Sequence, residues 1–108
     1  MKLGKRPKRG RHASARENKA IVERFRKHCS RKGWSMEGAM RELIHDYLRY
    51  PFPLHERRRD LRVDALLGSV DDSGDKIEAL KKHALKAGIP VSEAIRQIVR
   101  SYMESAGA

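Results

Sequence analysis

Lys2, Lys5, Arg6, Lys8, Arg9 and Arg11 crowd the start of the chain, and no acid precedes Glu17. Ammonium and guanidinium groups at that density donate charge-assisted hydrogen bonds to phosphate oxygens, so the chemistry they suggest is recognition of a polyanion. The whole chain carries 25 Lys and Arg against 14 acids, a formal charge of +11. No basic amphipathic helix with an aromatic face accompanies that charge, which favours DNA or RNA over a membrane surface. Catalysis is not expected, because no nucleophile with a base, no phosphate-binding loop and no carboxylate pair is visible. Cys29 is the only cysteine, which excludes an intrachain disulfide and a cysteine-rich zinc site. His28 and His83 have no carboxylate or Cys pair at metal-ligand spacing, so they are expected as partly buried helix residues; no metal or cofactor is predicted. No apolar run approaches the roughly 18 residues of a membrane span, and the basic start lacks a secretory apolar stretch. A cytoplasmic location is expected.

These residues are carried by a repeat. Residues 33–48 overlay residues 88–103 without a gap at an offset of 55 positions: Gly33/Gly88, Ala39/Ala94, Arg41/Arg96 and Tyr47/Tyr102 coincide, and Met40/Ile95, Leu43/Ile98 and Ile44/Val99 stay apolar. The offset persists upstream through Val22/Ile77, Phe25/Leu80 and His28/His83. A unit of this size cannot bury its apolar face alone and is expected to bury it against its copy.

Four helices are predicted. The first runs from about Asn18, a capping residue, to Lys32 and stops at Gly33; the second begins near Ser35 and ends before Tyr50-Pro51. Their counterparts cover about Asp75 to Ala87 and Pro90 to Glu104. Ahead of the first hairpin, residues 11–16 alternate polar with small apolar side chains, as in a half-buried strand. Ahead of the second, the repeat offset selects residues 66–71, whereas the cleaner alternation is Leu61, Val63, Ala65 against Arg62 and Asp64. A helix opened by Pro53 and closed by Gly68 is a third option.

A short strand, a helix closed by Gly, then Val-Ser-Glu-Ala-Ile-Arg (91–96) opening a helix that ends in Tyr-Met resembles the ribbon-helix-helix DNA-binding fold. Two copies in one chain resemble the tandem TraY-type accessory proteins of conjugative plasmids, which also carry Gly-Trp before the second helix and an aromatic-Pro pair after it, here Gly33-Trp34 and Tyr50-Pro51. The resemblance implies a mainly α protein of two βαα units forming an intramolecular pseudo-dimer, with a two-stranded antiparallel ribbon and four helices. On this basis residues 1–10 form a disordered basic arm, 11–50 the first unit, 51–60 a linker and 61–105 the second unit. Two features depart from the pattern: Pro90 stands where a capping Ser is usual, and Asp71 and Asp72 sit near the expected DNA-facing ribbon.

A two-stranded ribbon fits the major groove with alternate side chains turned to the base edges. Base-reading candidates are then His12, Ser14 and Arg16 on the first strand, with Arg16 suited to guanine, and Ser69 on the second, or Arg62 if that strand starts earlier. Phosphate contacts are expected from Lys2, Lys5, Arg6, Lys8, Arg9 and Arg11, from the helix starts at Ser35 and Ser92, and from Arg57 and Arg58. The predicted function is sequence-preferring binding of double-stranded DNA, as a repressor or a plasmid-origin accessory factor. The partner is DNA rather than membrane, and the chain acts as a monomeric pseudo-dimer, a homodimer or a higher assembly on DNA. Two alternatives are a helix-turn-helix binder, built on residues 84–89, and an antitoxin-like helical interaction module.

Overall fold

The computed structural model describes residues 11–72 and 74–107; for Arg11 and His12 it describes the backbone alone. In chain order the elements are β1 (Arg11–Glu17), α1 (Lys19–Lys32), α2 (Met36–Arg49), β2 (Ala65–Asp72), α3 (Gly74–Ala87) and α4 (Val91–Ala106). The two strands form one antiparallel sheet, with Ser14 opposite Ser69. None of the described helices is long and apolar enough to cross a membrane.

The helix ends follow local chemistry. Asn18 caps α1 by accepting from the Ala20 amide, and Ser35 caps α2 by accepting from Gly38 N–H at 3.0 Å, each satisfying a first-turn donor that the helix itself leaves open. The turn between the helices of each hairpin closes identically: Trp34 N–H donates to Cys29 O at 2.9 Å and Ile89 N–H to Ala84 O at 3.0 Å. Both turns place a glycine, Gly33 or Gly88, at φ near +75°, where a Cβ is unfavourable.

The core is made by both halves together. Val22 and Ile77, Phe25 and Leu80, Met40 and Ile95, Ile44 and Val99 are all buried, and each pair occupies matched positions of the repeat. Burying each such side chain contributes about 1.5–3 kcal/mol, and neither half encloses these residues alone. The second helix of each hairpin packs under the strand of the other half, α2 under β2 and α4 under β1.

Strand β1 alternates as expected, with Ala13, Ala15 and Glu17 buried and Ser14 and Arg16 exposed. Alanine is a poor strand former, but its small side chain lets the ribbon lie close on α4. Strand β2 does not alternate. Ala15 faces Gly68 and Arg16 faces Leu66, leaving Leu67 as an extra residue, so the buried positions are Leu67 and Val70, three apart. This β-bulge is centred on Gly68 at φ +150°, where an added Cβ would lie 3.3 Å from Met40 Sδ. The earlier alternation from Leu61 is therefore not the strand; residues 50–64 form neither strand nor helix. The option of a helix from Pro53 to Gly68 is likewise not realised.

Candidate nucleic-acid interface

The outer face of the ribbon is a narrow strip formed by Ser14 and Arg16 from β1 and by Leu66, Ser69 and Asp71 from β2, all exposed. Ser14 and Ser69 pair at its centre, Arg16 pairs with Leu66 towards one end, and His12 with Asp71 towards the other. Ser14 and Ser69 are themselves equivalent under the 55-residue repeat. The strand pairing therefore exchanges the two halves about this point.

The bonds that hold the ribbon on the helices come in pairs with the same exchange. Arg96 Nη1 donates to the carbonyl of Arg16 at 3.0 Å, and Arg41 Nε to the carbonyl of Asp71 at 3.1 Å. Each arginine is tied in turn to an acid of its own helix, Arg96 to Glu93 at 2.6 Å and Arg41 to Glu37 at 2.8 Å. At the strand ends, Arg100 grips Glu17 with two bonds of 2.7 and 2.8 Å, and His45 meets Asp72 at 2.6 Å. Deeper between the helices, His28 Nε2 lies 2.6 Å from Tyr102 Oη, and His83 Nδ1 lies 3.1 Å from Tyr47 Oη. Every contact in these pairs joins one half to the other except the two arginine–acid ties within a helix.

Burial shapes the chemistry of these groups. Desolvation pushes the phenols of Tyr47 and Tyr102 above the ordinary tyrosine range, with a smaller contribution at Tyr102 from Cys29. The Cys29 thiol is raised in the same way, so it stays protonated and acts as a small buried apolar group. Glu17 and Glu93 are fully buried, and each carboxylate is met by an arginine, as a buried charge requires. Among the described residues no buried side-chain polar atom lacks a partner, and no three His, Cys, Asp or Glu side chains gather as a metal site.

The expected base-reading residues are brought together in part. Ser14, Arg16 and Ser69 lie on one face, whereas Arg62 precedes β2, exposed, with its carbonyl accepting from Asn18 Nδ2. Arg62 is thus not a ribbon residue. His12 has the expected strand position, but its side chain, like that of Arg11, lies outside the described residues, as do Lys2, Lys5, Arg6, Lys8 and Arg9. Ser35 is exposed at the start of α2, and Ser92 is half-buried in the first turn of α4, where Pro90 supplies no side-chain cap. Arg57 is exposed; Arg58 donates two bonds to Asp60, at 2.6 and 3.1 Å, which hold the guanidinium more basic and the carboxylate more acidic than usual. Arg58 also borders a groove lined by Glu93, Gln97 and Arg100 along one side of α4.

One outward residue escaped the sequence. Leu66 is 59% exposed because the bulge turns it outward, which strict alternation from Ser69 would not do. Asp71, the acid expected near the DNA-facing ribbon, follows from that alternation two residues beyond Ser69 and is exposed on the strip. No protein-family model, no curated protein and no solved structure matches this chain.

Proposed function

We propose that the chain is a single-chain ribbon-helix-helix pseudo-dimer that binds double-stranded DNA by laying β1 and β2 in the major groove. The observation that carries this reading is the ribbon centred on Ser14 and Ser69, with a mostly polar outward strip and with the arginine bonds that hold its carbonyls repeated with the halves exchanged. A two-stranded ribbon has the width of the major groove, and the exposed Arg16 side chain can donate two bonds to guanine O6 and N7. The starts of α2 and α4 would offer first-turn amides to backbone phosphates, while the basic residues from Lys2 to Arg11 would add contacts that position without reading sequence. Repression of a promoter or service at a plasmid origin would both use this surface, and further copies would add along the duplex.

A helix-turn-helix mode fits the geometry less well. Seven residues of α4, from Glu93 to Met103, are buried, so this helix has no free polar face to lay in a groove.

The direct test is Arg16→Ala against the preferred duplex and against random DNA. Affinity for the preferred duplex should fall by about 1–3 kcal/mol, with little change on random DNA. An equal loss on both would remove the base-reading role.

A further inference from the structure

The geometry points to a non-palindromic DNA site that the chain reads in one fixed orientation. This rests on the proposed DNA reading and specifies the ligand for it. Two identical strands about a two-fold axis would read inverted repeats, and here the backbone preserves such an axis through Ser14 and Ser69. The outward side chains do not preserve it. Arg16 and Asp71 are equivalent positions of the repeat, both are exposed, and their carbonyls are held by the equivalent Arg96 and Arg41 at 3.0 and 3.1 Å. They therefore occupy matching places against the groove with opposite charge.

The bulge deepens the difference. It occurs in β2 alone, between the pairs Ala15–Gly68 and Arg16–Leu66, and it turns the large apolar side chain of Leu66 into solvent beside Arg16. One end of the ribbon thus offers a forked donor and an apolar surface, suited to a guanine next to a thymine methyl. At the other end a carboxylate accepts from the cytosine N4 amino group and is repelled by the acceptor edge of guanine. A guanine contacted by Arg16 at one end and a cytosine on the contacted strand at the other place the chain on the duplex in one direction only.

Selection of duplexes from a random pool with the full chain, followed by the same selection with Arg16→Ala and Asp71→Arg, tests this. The wild type should enrich a motif without inverted symmetry, Arg16→Ala should lose preference at one end only, and Asp71→Arg should change preference at the other end only. Asp71→Arg should also raise affinity for a symmetrised guanine-bearing duplex, relative to the wild-type motif, by about tenfold or more. Both side chains are exposed, and unchanged circular dichroism melts would confirm that the variants fold. A palindromic wild-type motif, or variants that alter both ends alike, would overturn the asymmetric site while leaving DNA binding intact. Failure to enrich any motif, or to bind duplex at low salt, would overturn the DNA reading itself.

Discussion

The two ends of the ribbon are anchored at equivalent positions by different chemistry. At one end Glu17, with no exposed side-chain surface, is held by both arms of the Arg100 guanidinium; at the other, the partly exposed Asp72 meets a single imidazole nitrogen of His45. Arginine presents its donors in a rigid fork that matches a carboxylate, whereas the imidazole supplies one bond along one direction. The backbone symmetry is thus kept while the two halves differ in how completely each acid depends on its partner. At the deeply buried end Glu17 Oε1 also accepts from the Asn18 amide at 2.7 Å, but Arg100 supplies the opposing charge, and the shallower end retains access to water.

The largest effect that would sharpen this contrast comes from Arg100→Ala. Removing the fork leaves the buried carboxylate with the Asn18 amide but no opposing charge, and stability should fall by about 3–5 kcal/mol in urea denaturation. His45→Ala should lose less, about 1–3 kcal/mol, because water can reach Asp72. Equal losses would break the comparison.

Gly68→Ala tests whether the bulge belongs to one end only. The substitution forces a Cβ into positive φ and against Met40 Sδ at 3.3 Å, and a loss of about 1–3 kcal/mol is expected. The equivalent Ala13→Gly should lower stability far less, since that strand carries no bulge; a larger loss there would mean that the strands are not distinguished in this way.

The smallest effect concerns the two matched phenols. Burial raises the Tyr47 and Tyr102 pKa values in the folded chain, so their contribution is complete below the ordinary tyrosine value of about 10 and is lost as pH rises through the folded values. Thermal midpoints should therefore decline above about pH 10. Replacing both by Phe should flatten that decline, and an unaltered slope in the double variant would show that other groups govern alkaline unfolding.

The helices were legible because their signals are local. Asn18, Ser35 and the glycines at 33 and 88 mark ends, and the apolar period marks the buried face. The 55-residue repeat also located the second strand nearly correctly, since Ser69 is opposite Ser14 as the offset implies. What misled was the rule of two: the bulge at Gly68 breaks alternation in β2, so the tidier pattern at Leu61–Ala65 competed with the real strand. Glu17 continues the inward series of Ala13 and Ala15, yet an acid is not expected inside until its partner is known, and Arg100 lies 83 residues away. The arginines at 41 and 96 were legible as matched positions of the repeat, but their bonds to strand carbonyls of the other half exist only in the folded chain.

The central claim is that the ribbon, not the outer helices, meets the duplex. Amide chemical-shift mapping of the ¹⁵N-labelled chain titrated with a selected duplex tests it most directly. The largest changes should fall on residues 12–16 and 66–71, with smaller ones at the starts of α2 and α4; changes confined to α1 and α3, with the strands unmoved, would contradict it.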